Sequence, residues 1–526
     1  MAENIEESRK ISLQKSAERL TEEIQSMANY KNLYTEIQKL VASTAVKRED
    51  FKNTLLEALK SNGLETEIRN TVFHWVRSQG SLSAVSEAST EEVDLTYLKK
   101  AQIQWERRIQ KSLNSTCNEL NVPLARIRPN ADREELAEKW NELSTYDIDL
   151  SQYRPLYAPK DFLDVLFSIR NPSFKKQPNE LNWEFGHIQI HVKTLTQLRH
   201  LYVDLTKGMS LLGVNPDMPS SENFTNLEEE RIYISEKVLK SNHAPIAQEF
   251  LKRGAPRALR GRLWSLVLGS TDLEYYEELK NMVLQYDIVI DKLIIKDVQL
   301  TARNDDQYFV FEDVLYKTML CFSRDSEVLA PVTTDRSAGG QVIHAVLQGK
   351  PATLENTLVF PPSGVIPFHG FTMYATPFCY LYDDPCAMYY TFRAFYLRYW
   401  FRLHTVSSHE QGIVALCLLF ERLLQCHEPL LWIHCRNIHI QPVKIVFKWI
   451  MRGFSGHLPP EQLLYLWDLI LGYDSLEIIP LLAVTILSFR KENLMQVNNQ
   501  QSVEAVLADL SSLKVVPLLQ LALLRE

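Results

Sequence analysis

The chain has 526 residues, 45% hydrophobic and 10% aromatic, which is too long for one small core and apolar enough to fold into two or three packed regions. A formal net charge of −8 and a pI near 6.0 give no overall attraction to phosphate backbones or anionic lipid, so nucleic acid is excluded as an expected partner. The longest apolar runs, Ile413 to Phe420 and Pro480 to Leu487, fall short of the roughly 20 residues a spanning helix needs, so no transmembrane segment is expected.

The N-terminal residues are polar and acidic, without the layout of a secretory or transit peptide, and a cytoplasmic location is expected. The cysteines are odd in number, and Cys321, Cys379 and Cys417 sit in apolar helical stretches, which predicts reduced, buried thiols. From Leu13 the positions Ala17, Leu20, Ile24 and Met27 make a short heptad seam that Lys31 ends. Asp50 to Lys60 and Leu64 to Val76 read as a helical hairpin hinged at Asn62-Gly63, and residues 1–80 are the place for a helix-mediated protein partner. A Ser-rich linker is expected over 79–90. It is followed by a long charged helix over Val93 to Leu120.

From Asn121 to Asn182 the density of Pro, Asn and Tyr predicts irregular packing with short helices such as Asp161 to Ile169. Helical periodicity resumes over Ile188 to Leu211, and Gly213 to Thr225 reads as a linker. Residues 1–225 are therefore expected to be a helical N-terminal region, followed by a domain over 226–490 and a terminal segment, 491–526, that packs back on it. No strand-like alternation persists, so the fold class is all-α.

The domain is organised around Gly254 to Gly269. Pro256 presets the turn, Leu259, Leu263, Trp264, Leu266 and Val267 fall at helical spacing, and Gly269 stops the helix. Pattern alone would leave Arg257, Arg260 and Arg262 solvated around it. Asp272 to Gln299 then predicts a long helical stretch with Tyr275, Leu279, Val283, Tyr286, Ile290, Leu293 and Ile294 on its apolar stripe.

Leu259-Arg260-Gly261 with Trp264 and a following Leu268-Gly269 resembles the entry motif of the TBC domain, the all-helical module of Rab GTPase-activating proteins. The resemblance spans about Ile246 to Arg490 and continues through Phe447, Trp449, Phe454, Leu458-Pro459 and Leu466-Trp467-Asp468. It implies a Rab-family small GTPase as partner, recruitment to membranes through that partner, and a role in intracellular trafficking. Among site residues it implies Arg260, Asp297, Trp467 and Asp468 for GTPase binding, with Trp264 structural. From the residues alone, the Trp and Leu positions are core and Asp468 is an inward acceptor beside Trp467.

The catalytic residues of the family do not carry over. Ile294-Ile-Lys-Asp297-Val-Gln-Leu300-Thr301 is similar to Ile-x-x-Asp-x-x-Arg-Thr, with Leu300 where the arginine finger stands. Such an arginine is worth about 10³ to 10⁵ in rate, or about 4 to 7 kcal/mol of barrier, because it offsets charge building on the γ-phosphate. Leucine has neither charge nor donor. Arg303 is the one stand-in within reach. The family's glutamine, which orients the attacking water, is replaced by His369 in Pro367-Phe368-His369-Gly370, after an insertion over 324–364.

Two readings follow: a Rab GTPase regulator acting as a GTPase activator without dual-finger catalysis, or a catalytically inactive TBC scaffold that binds a Rab or another partner. Neither makes the chain itself an enzyme. No cofactor or metal is expected, since Cys426, His427, His434, Cys435 and His439 lack a zinc-site spacing.

Overall fold

The computed structural model describes residues 17–42 (19 and 23 apart), 48–83 (62 apart), 95–174 (147 apart), 184–206, 226–270, 275–329, 343–346 and 357–524. The protein is all-helical, with α-helices and 3-10 turns joined by short connections. The helices that position the site are α1 (Leu64–Ser83), α2 (Arg260–Leu268), α3 (Val289–Thr301), α4 (Glu312–Arg324), α5 (Pro442–Met451) and α6 (Pro460–Tyr473). The strands among the described residues form two antiparallel ribbons, β1 (Ala125–Ile127) with β2 (Tyr286–Ile288) and β3 (Ile343–Val346) with β4 (Thr357–Phe360).

Helix α2 forms as its sequence dictates. Pro256 leads into a 3-10 turn at Arg257–Leu259, and Gly269 closes the helix at φ 70°, a left-handed conformation that costs glycine nothing. Its Trp264 is fully buried against Phe378, Phe395 and Trp467, with ring centroids 5.7, 5.5 and 6.3 Å away. That aromatic centre belongs to one hydrophobic cluster whose members run from Tyr97 to Leu523, so residues on both sides of position 225 fill the same core.

Several local expectations are corrected. The stretch expected to be one helix over Asp272 to Gln299 is broken: a helix Tyr276–Gln285 gives way to β2, and α3 starts afresh at Val289. Tyr286 and β-branched Ile288 suit extended backbone, and β1 supplies the partner strand, with Ala125 opposite Ile288 and Ile127 opposite Tyr286. Ile188 to Lys193 is non-helical; the helix Leu195–Leu201 begins only where Thr194 and Gln197 make a reciprocal cap.

Nearer the N-terminus, helix Ala28–Ala42 runs past Lys31 without a break, the bend falling at Met27 instead. Helix α1 extends through Ser83, into the stretch expected to be a linker. Residues 1–16, 84–90 and the linker at 213–225 lie outside the described residues, as do 330–342 and 347–356 of the insertion. Cys321, Cys379 and Cys417 are free, buried thiols.

The start of α3 is anchored by charge. Arg324 donates to both oxygens of Asp291 at 2.6 and 2.7 Å and to the Tyr286 carbonyl at 2.7 Å. Asp287 on β2 is held by Arg126 at 2.8 Å and by Lys292, with Arg128 3.7 Å away. Burial alone would raise the Asp287 pKa; Lys292, Arg128 and Arg126 outweigh it and hold the carboxyl below its ordinary value. This network fixes the axis of α3 and therefore where its far end, Leu300, emerges.

Helix α1 docks on the same body. Asn70 accepts from the Ala244 amide at 2.8 Å, Arg77 donates to the Val267 carbonyl at 3.0 Å and to Asp474, and the His74 ring lies against Gly269. Asp474 also receives Arg398 and, at 2.7 Å, the Tyr399 hydroxyl. At the other end of the chain, helix Val515–Leu524 buries Val515, Leu518, Leu519 and Leu523, and Gln520 donates to the Leu205 carbonyl at 3.0 Å.

Candidate functional site

Two buried carboxylates, Asp468 and Asp297, organise the region that the motifs single out. Asp468 on α6 is fully buried. It accepts from Arg260 Nε at 3.0 Å, from Trp264 Nε1 at 2.7 Å and from the Ala255 amide at 2.8 Å. Arg260 is 2% exposed, donates through Nη2 to the Ala255 carbonyl at 2.9 Å, and lies over the Tyr465 ring at 5.1 Å. Burial pushes the Asp468 pKa up, while Arg260, Ala255 and Trp264 all favour the ionised form.

The expectation that Arg260 is solvated is thus corrected, because the carboxylate that receives it lies 208 residues away. Asp468 is the inward acceptor expected, but its indole partner is Trp264. Trp467 turns its own Nε1 to the Gly453 carbonyl at 2.9 Å.

Asp297 on α3 is 2% exposed. It accepts the Gly370 amide at 2.6 Å, the Thr372 amide at 2.8 Å and the Thr372 hydroxyl at 2.6 Å. Burial raises its pKa, and these three donors with His369 act against the rise. The carboxylate clamps the turn that carries His369 to the last turns of α3. Three residues on, Leu300 is 39% exposed. Asp297 thus joins α3, which carries Leu300, to the turn that carries His369.

His369 projects from that turn with its side chain 40% exposed and its Nδ1 3.9 Å from Asp297. Its amide donates to the Tyr157 carbonyl at 2.9 Å, and its carbonyl accepts from Arg452 at 2.8 Å. Burial lowers the imidazole pKa, Asp297 raises it, and Arg452 and Lys448 lower it further, leaving it below its ordinary value and neutral at pH 7. Gly370 adopts φ 94°, and an added Cβ would land on the Arg452 guanidinium, so only glycine fits. Arg303 is 54% exposed, 3.7 Å from Glu312 on α4.

Tyr157, Thr372, Lys448 and Arg452 were not singled out from sequence. Tyr157 acts through its backbone, which no pattern discloses. Lys444, Lys448 and Arg452 do leave a signal: their i, i+4, i+8 spacing puts three cations on one helical face. Of the zinc-ligand types, His434 bonds the Val497 carbonyl at 2.9 Å and Cys435 is buried.

A helical body pinned by Arg260, Trp264 and Asp468 thus carries an Asp297 clamp between a helix end and a loop, and the class of this chain is that of the TBC-domain proteins. The Rab-GTPase-TBC domain model matches residues 368–495. The chain is also 45% identical to human TBC1 domain family member 19 over 505 residues, covering 94% of this chain and 95% of that protein. It belongs to the Rab-GTPase-TBC domain family. Among the described residues no helix is long and apolar enough to cross a membrane.

Proposed function

We propose that the chain is a regulator of a Rab GTPase, engaging it through the face on which Leu300 and His369 meet, without dual-finger catalysis. One observation carries this reading. The Asp297 clamp ties α3 to the loop that carries His369, and the side chains at the two finger positions are an aliphatic group and an imidazole. A leucine cannot offset charge on a γ-phosphate, and an imidazole lacks the flat donor-and-acceptor pair with which an amide orients water.

Arg260, Asp297, Trp467 and Asp468 act in this reading as positioning residues, since all four are buried. The domain proper is residues 226–490, with 491–526 as its terminal brace, and the GTPase recruits the protein to membranes. The second reading, a scaffold that binds without stimulating hydrolysis, is favoured by Arg303, whose side chain is engaged by Glu312.

The test is single-turnover GTP hydrolysis across a Rab panel at high protein concentration, with Leu300→Arg combined with His369→Gln as the restoring variant. The expected result is nucleotide-sensitive Rab binding, little stimulation by the wild type and measurable stimulation by the double variant. Robust wild-type stimulation overturns the finger-less mechanism. Loss of that stimulation in Arg303→Ala would transfer the role to Arg303.

A further inference from the structure

Helix α5 carries Lys444 and Lys448, and Arg452 caps its C-terminal end, at successive i, i+4 spacings that place them on one side. Lys444 and Lys448 are exposed, and Arg452 reaches the His369 carbonyl at 2.8 Å. Lys448 is near enough to both His369 and His457 to lower their proton affinity, so the stripe leads directly to the finger-position loop.

None of the three cations forms an ion pair among the described residues, and Arg452 Nε is buried without a hydrogen-bond partner. Asp297, whose charge acts on Arg452 at the end of the stripe, is already taken by three donors from Gly370 and Thr372. Like charges at i, i+4 repel by a few tenths of a kcal/mol.

The geometry points to Lys444 and Lys448 as an electrostatic docking stripe for an acidic protein surface. That surface is a carboxylate-rich patch of the GTPase seated at Leu300 and His369, and this identity rests on the function proposed above. Charge complementarity favours that partner: exposed ammonium groups without counterions gain most from meeting carboxylates, and their effect is chiefly on encounter rate and salt dependence. Arg452 is the inner end of the stripe, holding the loop rather than touching the partner.

The experiment measures affinity of the full chain for Rabs loaded with a non-hydrolysable GTP analogue, from low to moderate salt. Lys444→Glu/Lys448→Glu is compared with Lys514→Glu, an exposed control lysine remote in sequence. The double reversal is expected to weaken binding at least tenfold at low salt and to flatten the dependence of log Kd on log salt, with the control unchanged. Both lysines are exposed, so circular dichroism and Tm should match wild type.

Unchanged affinity and slope in the double reversal, with wild-type binding intact, overturns the stripe and leaves the proposed function standing. Absence of binding by the wild type to every Rab overturns both. If the reversal instead abolishes binding to phosphatidylserine vesicles while Rab affinity holds, the stripe serves lipid and the protein-docking proposal fails.

Discussion

Asp468→Ala removes the acceptor on which the centre of the domain converges. The variant leaves the Arg260 guanidinium, 2% exposed, without its counterion. Breaking a buried ion pair from one side costs about 3 to 5 kcal/mol. Trp264 Nε1 and the Ala255 amide lose their acceptor as well, and a buried orphan donor costs about 1 to 3 kcal/mol. These terms share one cavity and do not add in full, so the expected loss is about 4 to 6 kcal/mol. Against a total stability of about 5 to 15 kcal/mol this is a large fraction.

Equilibrium urea denaturation followed by tryptophan fluorescence reads the loss. Asp468→Asn keeps the shape but turns an amide NH₂ toward a donor, for an expected cost of about 2 to 4 kcal/mol. The decisive comparison is Arg260→Met with Asp468→Leu, singly and together. Once both charges are gone no buried ion is stranded, so the double variant should be more stable than either single predicts, by 2 kcal/mol or more on the order of buried-pair coupling. A loss below about 1 kcal/mol for Asp468→Ala, or strict additivity, would refute the pairing as the source of stability.

Asp297→Ala strands the Gly370 and Thr372 donors and should cost about 2 to 4 kcal/mol while weakening Rab binding, as read by calorimetry on a variant shown to be folded. Gly370→Ala forces a Cβ onto the Arg452 guanidinium at φ 94°, with a Tm drop corresponding to about 2 kcal/mol or more expected by scanning calorimetry. Burial lowers the pKa of His74 to about 4, and of His409 and His457 to about 3, each helped by nearby arginines. The unfolded chain binds these protons below about pH 6.5 and the native one does not, so stability should fall between pH 7 and pH 5 by roughly 1 to 2 kcal/mol per histidine. Urea midpoints across that window test this, and His74→Gln together with His457→Gln should flatten the profile.

Much of this was legible where the controlling interaction is local. The turn, helix and glycine stop of Gly254 to Gly269 follow from residues within one another's reach. What sequence left hidden depends on partners far along the chain. Arg260 carries no mark of burial until Asp468 is folded against it, and Tyr286 to Ile288 reads as helix until Ala125 to Ile127 offers a strand to pair with. The clamp at Asp297 was visible as a motif residue, but its grip on backbone amides of Gly370 and Thr372 was not, because those donors are common to nearly every residue.

The loop that carries His369 is held by both parts of the chain. Tyr157 supplies the carbonyl that holds the His369 amide, and its ring stands between Trp105, 5.1 Å away, and Phe368, 6.0 Å away. Trp105, Tyr157 and Phe368 are all buried, so the floor beneath His369 is an aromatic layer contributed in part by residues well before position 225. From the other side, Asp297 and Arg452 hold the same loop from α3 and from the end of α5. A loop restrained from three directions, with a glycine that admits no side chain, carries a cost in backbone freedom that a defined surface repays. The backbone around His369 is therefore held by contacts that do not depend on its side chain, and under the function proposed above the surface it belongs to works by binding.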